Sequence, residues 1–193
     1  LSHCINLVSP KIIFVSERHE ASARSLNLPI ELHVLNTALA TEILSCSDQP
    51  PVDECEPEDG IVILYTSGTT GPPKGALISH RAEIARAHIQ MLDLPAEPSD
   101  VFVAWAPLFH MVSTDTVFKT LMIGGTILVT DGYDAKQLAE IIATERLGRL
   151  TLMPGMITSI IEAVRDNGSR VKGIKNGLNL GFSFPEAKFN TSS

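Results

Sequence analysis

Several things are scarce in this sequence, and each shortage excludes something. Cysteine occurs three times in 193 residues, as Cys4, Cys46 and Cys55. An odd number with no C-x-x-C pair rules out a disulfide framework and a cysteine-based zinc site, and points to reduced thiols in a cytoplasmic setting. His3 and Cys4 have no second ligand pair at metal-binding spacing, so no metal site among the protein side chains is expected. Positive charge is in deficit: 15 Lys and Arg against 22 Asp and Glu give a formal charge of −7, which does not suit a general nucleic-acid binder. No apolar run reaches the roughly 18 residues of a membrane span. The best stretch, 117–129, is broken by Lys119 and by Gly124-Gly125. The chain begins with Leu1 and shows no basic segment followed by an apolar one, as expected of a processed or truncated product.

What is present is globular. Hydrophobic residues make up 44% and charged residues 19%, and the length suffices to bury a core. The acidity is local: residues 1–60 hold ten acids and three bases, whereas 61–193 hold twelve of each. Residues 47–59 carry three prolines and six acids, the composition of a solvated linker or long loop.

Before that segment, 11–16 reads as a strand, 20–28 as a short helix and 32–35 as a second strand. After it the pattern is regular. The continuous apolar run 60–65 (GIVILY) reads as a strand covered on both faces. Ser79 caps a helix whose apolar positions Ile84, His88, Met91 and Leu92 recur at helical spacing, with His88 as a packed residue. Strands follow at 101–105, 126–129 and 149–153. Helices are expected from about Thr114 to Ile123, from Asp134, and from Pro154 to the stop at Gly168, the last with a core stripe of Ile157, Ile160, Ile161 and Val164. The alternation predicts an α/β fold with a mostly parallel sheet and flanking helices. Residues 177–193 show neither period and hold three of the seven phenylalanines, so they read as an atypical tail beginning near Asn176.

The segment Tyr65-Thr66-Ser67-Gly68-Thr69-Thr70-Gly71-Pro72-Pro73-Lys74-Gly75 has the chemistry of a phosphate cradle. The four aliphatic hydroxyls of Thr66, Ser67, Thr69 and Thr70 can donate hydrogen bonds to phosphate oxygens. Gly68, Gly71 and Gly75 lack a Cβ and so allow positive φ and close approach of backbone N–H groups to an anion. Lys74 adds a mobile positive charge. This is not the Gly-Lys-Ser/Thr loop that opens a helix in P-loop NTPases, and no G-x-G-x-x-G occurs.

This segment resembles the signature loop of the adenylate-forming superfamily. Ala106-Pro107-Leu108-Phe109-His110 is similar to the P-L-F-H segment of its acyl-CoA synthetase branch, and Ser79-His80 also matches. The resemblance implies part of the large N-terminal domain of an adenylate-forming enzyme over 1–193, without the small C-terminal domain. It implies that Thr66, Ser67, Gly68, Thr69, Thr70, Gly71 and Lys74 hold the phosphates of ATP, that Lys74 and His110 are catalytic, and that Trp105, Phe109, His110 and Met111 lie near the acyl group. Trp105, Phe109 and Met111 read equally well as core. The chain departs from the pattern in carrying Met111-Val112-Ser113 where relatives usually show a glycine. The Tyr-Gly-x-Thr-Glu segment, the ribose-binding aspartate and the late catalytic lysine of the family do not occur in it.

The function so implied is an ATP-dependent acyl-CoA ligase, with ATP, Mg2+ and coenzyme A as cofactors or co-substrates and a small carboxylic acid, preferably a fatty acid, as partner. The expected location is cytoplasmic, and the 193 residues alone are expected to be inactive. Three other readings stay open: a carrier-protein-loading adenylation domain, a nucleotide-binding remnant, and an acyltransferase built on His110 and Asp115 at H-x-x-x-x-D spacing.

Overall fold

The structure, a computed structural model, describes residues 2–50, 52, 54–66, 71–168 and 172–179, with 176–179 described through the backbone. The chain divides into two compact units, Leu1–Ile78 and Ser79–Ser193.

The first unit contains α1 (Ser2–Val8), β1 (Ile12–Ser16), α2 (Glu20–Arg24), β2 (Glu31–Leu35), α3 (Thr37–Ser45), β3 (Gly60–Thr66) and β4, which begins at Lys74 and runs to Ser79. β1 and β2 pair in parallel, from Ile12 opposite Glu31 to Ser16 opposite Leu35. α2 ends at Arg24, four residues short of the expected helix, with a single 3-10 turn at Glu17–His19 before it. Two helices escape the sequence reading. α1 has no buried residue. α3 is started by Asn36, whose side chain accepts from the Leu39 N–H at 3.0 Å, a cap that a closer reading of Asn36-Thr37 would have flagged. The described residues between α3 and β3 form only turns and bends, as the acidic, proline-rich composition of 47–59 requires.

β3 differs from expectation. Of its residues only Leu64 is buried, and Ile61 and Ile63 remain 37% exposed. An apolar run alone implies cover on both faces, but β3 has a single sheet neighbour, β4, among the described residues. β4 is not expected from the sequence, in which Lys74 and Gly75 read as loop.

The second unit is a repeated strand–helix pattern: α4 (His80–Asp93), β5 (Val101–Ala104), α5 (Met111–Met122), β6 (Thr126–Val129), α6 (Ala135–Thr144), β7 (Leu147–Leu152), α7 (Ile157–Asn167) and β8 (Ile174–Asn179). Its strands are all parallel, in the order β6-β5-β7-β8. Val103, Trp105, Leu138, Ile142, Leu147, Leu150 and Ile160 make the core between sheet and helices. Side chains such as Ile142 and Leu147 contribute about 1.5–3 kcal/mol each through burial.

The caps follow the sequence. The Ser79 hydroxyl accepts from the Ala82 N–H, Asp134 accepts from the N–H groups of Lys136 and Gln137, and Gly168 sits at φ +59 at the end of α7, where a Cβ would be strained. α4 turns a different face inward from the one expected. Glu83 and Ala87 are buried, whereas Ile84, His88 and Leu92 are exposed. The reason is α5, whose buried face is itself polar (Ser113, Thr114, Asp115, Thr116, Lys119, Thr120) and meets polar residues of α4. β8 carries regular pairing to Asn179, opposite Leu152, three residues beyond the start expected for the tail; residues 180–193 lie outside the described residues.

Candidate functional site

In the first unit, β3 delivers Tyr65 and Thr66 to one arm of the expected phosphate loop, and Gly71–Pro73 lead back into β4 at Lys74. Ser67, Gly68, Thr69 and Thr70 lie outside the described residues. The Thr66 hydroxyl donates to the Lys74 carbonyl at 3.4 Å, and the Tyr65 hydroxyl donates to the Cys4 carbonyl at 2.7 Å. Burial, with a smaller contribution from Cys4, holds the Tyr65 phenol above its usual value, so it remains a donor. Lys74 is exposed and makes no ion pair among the described residues. A lysine left without a carboxylate partner at the mouth of a hydroxyl-rich loop is available to a polyphosphate.

The glycines act differently from expectation. Neither Gly71 nor Gly75 takes a left-handed backbone. Gly75 is required by packing, because a Cβ there would lie 2.9 Å from Ile63 Cγ2, a stiff β-branched methyl group on the neighbouring strand.

In the second unit, β5 ends at Ala104 and the chain enters the loop that carries His110. β5 lies between β6 and β7 in the sheet, so its following helix leads to one side while β7 leads to the other. That reversal marks the place where parallel α/β sheets form ligand crevices at the carboxyl ends of strands. The loop is fixed from α5: Ser113 donates to the Ala106 carbonyl at 2.8 Å, and Thr114 donates to the Leu108 carbonyl at 2.6 Å. His110 is the N-cap of α5, with Nδ1 accepting from the Val112 N–H at 3.3 Å. In the neutral imidazole this places the remaining proton on Nε2, so the exposed edge of the ring offers a hydrogen-bond donor rather than a base.

The four candidates for the acyl pocket separate. Trp105 is 8% exposed, donates from Nε1 to the Thr151 carbonyl at 2.7 Å, and meets Tyr133 edge-on at 5.7 Å; it belongs to the core. Phe109, at 74% exposure, together with His110 and Met111, lies on the open side of the loop.

The pairing of His110 with Asp115 is overturned. Asp115 is 5% exposed, and its Oδ2 accepts from Arg86 and, at 3.1 Å, from Gln90. Its Oδ1 has no hydrogen-bond partner, so the carboxylate does not orient the imidazole. The same group of residues reaches β7, where Arg149 donates to Gln90 Oε1 at 3.2 Å. Sequence reading missed Arg86 and Gln90; their i, i+4 spacing on α4 was the available signal, masked by the more apolar Ile84 face.

A family model for AMP-binding enzymes matches residues 1–184. The chain belongs to the AMP-binding enzyme family. Among curated relatives, the 2-succinylbenzoate–CoA ligase (chloroplastic/peroxisomal) of Arabidopsis thaliana is 28% identical over 188 residues, covering 95% of this chain and 33% of that protein. The 4-chlorobenzoate–CoA ligase of Pseudomonas sp. (strain CBS-3) is 30% identical over 148 residues, covering 75% of this chain and 28% of that protein. The chain thus spans about a third of the length of the curated relatives it matches.

The fold agrees with the family. The N-terminal domain of FACL13 from Mycobacterium tuberculosis superposes with a TM-score of 0.83 at 21% identity, covering 96% of this chain and 48% of that one. ATP-bound MatB from Rhodopseudomonas palustris gives 0.76 at 20% identity, covering 92% and 36%. The family match reaches residue 184 and so extends past Asn176, where the sequence pattern weakens. No helix among the described residues is long and apolar enough to cross a membrane.

Proposed function

We propose that the full-length protein is an AMP-binding CoA ligase. It joins a carboxylic acid to the α-phosphorus of ATP, expelling pyrophosphate, and then transfers the acyl group from the acyl-adenylate to the thiol of coenzyme A, releasing AMP. The observation that carries this reading is the exposed Lys74 at the head of β4, without an ion-pair partner among the described residues and bonded through its carbonyl to Thr66. Negative charge grows on the departing pyrophosphate, and a fixed array of donors with an ammonium stabilises it as it develops.

Thr66, Ser67, Gly68, Thr69, Thr70, Gly71 and Lys74 take the phosphates. His110, with its donor on Nε2, takes an oxygen of the carboxylate or acyl-adenylate at the end of β5. Phe109 and Met111 flank it; Trp105 supports the loop from below. Magnesium comes with the nucleotide as the counter-ion of its phosphates.

The relatives refine the choice of acid. Both curated ligases are named for benzoates, which favours an aryl carboxylate over the fatty acid suggested by the sequence, and both are named for CoA, which favours a free thiol over a carrier protein. We place the enzyme in the cytoplasm, consistent with free thiols at Cys4 and Cys46, and assign turnover to the full-length protein rather than to these 193 residues.

The test is acid-dependent release of AMP and pyrophosphate by the full-length protein with CoA present. A panel of benzoate, 4-chlorobenzoate and hexanoate decides the acid class. Thioester formation with a benzoate supports the reading; hexanoate alone as substrate returns it to fatty acids; no ATP-dependent thioester with any acid contradicts it.

A further inference from the structure

We infer that α1 braces both arms of the phosphate loop, with His3 and Tyr65 acting as positioning residues for ATP. This rests on the reading of that loop as the grip on the nucleotide. His3 Nε2 lies 3.0 Å from the Pro73 carbonyl. A carbonyl only accepts, so Nε2 carries the proton and His3 donates. Pro73 immediately precedes Lys74. On the other arm, the Tyr65 hydroxyl donates to the Cys4 carbonyl at 2.7 Å, two positions before Ser67. Leu7 lies beside the start of β4, its Cδ2 3.7 Å from the place a Cβ would occupy on Gly75.

One helix is therefore hydrogen-bonded to the loop's incoming strand and to its outgoing arm, across sequence separations of 61 and 70 residues. No side chain of α1 is fully buried, although Cys4, Ile5 and Val8 are half-buried. Holding both ends of a short loop removes conformational freedom that phosphate binding would otherwise have to remove. A net hydrogen bond of about 1 kcal/mol corresponds to about a fivefold change in affinity.

The test compares ATP with AMP on the full-length protein, by calorimetric Kd. His3→Leu and Tyr65→Phe are expected to weaken ATP about fivefold each and to leave AMP unchanged, because AMP lacks the β- and γ-phosphates. His3→Gln, whose amide N–H reaches the same carbonyl, restores ATP affinity. Wild-type ATP affinity in both His3→Leu and Tyr65→Phe overturns the brace while leaving the ligase reading intact. Equal losses for ATP and AMP also overturn it, by showing that α1 merely supports the fold, and a glutamine that fails to rescue removes His3 from the set. A wild-type protein that binds no ATP overturns the ligase reading and the brace together.

Discussion

Asp115 takes its hydrogen bonds from Arg86 and Gln90 on the neighbouring helix and none from His110, five residues before it. The carboxylate is buried while the Arg86 side chain is 43% exposed, so the two partners are unequal. Removing the arginine leaves the buried charge with a neutral donor alone, Gln90; neutralising the aspartate leaves a cation that reaches water. Arg86→Leu is therefore expected to destabilise by about 2 kcal/mol or more, and Asp115→Asn by less. Chemical denaturation of the two variants gives the order; Asp115→Asn as the worse of the two would contradict it.

Glu83 supplies a pH dependence. Burial raises its carboxyl pKa first, the Asp115 charge raises it further, and Arg86 opposes both. A folded-state pKa above the unfolded value means that the protonated form is favoured in the fold. Its stabilising contribution is complete below the unfolded carboxyl value, about 4.3, and is lost as pH rises through the folded one. Glu83→Gln keeps the shape without the charge. Its melting temperature is expected to exceed that of wild type increasingly from about pH 4 to pH 7, and a constant difference over that range would show that Glu83 does not titrate between the two states.

Trp105 and Phe109 sit four residues apart and separate stability from specificity. Trp105→Phe loses the bond to the Thr151 carbonyl and is expected to cost about 1 kcal/mol with little change in KM for the acid. Phe109→Ala, at a side chain already in solvent, is expected to leave the melting temperature unchanged and raise KM for an aryl acid severalfold. The reverse pattern would place the tryptophan in the acyl pocket after all.

His110 caps α5 and offers its Nε2–H outward. Asparagine is as good a helix cap but lacks the ring donor. His110→Asn is expected to fold with wild-type stability and to slow thioester formation at least tenfold. An unchanged rate would make the histidine a cap and nothing more.

Much of the second unit was legible in the sequence because its elements are punctuated locally. Ser79, Asp134 and Gly168 mark helix ends through backbone groups within three residues, and 101–104 and 126–129 are short apolar runs between such marks. What failed was long-range. The polar face between α4 and α5 exists because Arg86 meets Asp115, 29 residues away, and hydrophobic periodicity pointed instead to Ile84 and Leu92. α1 and β4 were missed for a related reason: Lys74-Gly75 reads as loop until Ile63 and Leu7 are seen beside it. The loop chemistry at Thr66 and Lys74 was visible in composition, whereas the capping role of His110 needed the start of α5 at Met111 rather than Thr114.

In the proposed reaction Lys74 stabilises the departing pyrophosphate. Carboxylate-dependent exchange of labelled pyrophosphate into ATP isolates that step from thioester formation. Wild-type full-length protein is expected to exchange label with its best acid, and Lys74→Ala to slow exchange by about a hundredfold or more with its melting temperature unchanged. Exchange at the wild-type rate in Lys74→Ala would remove Lys74 from that role.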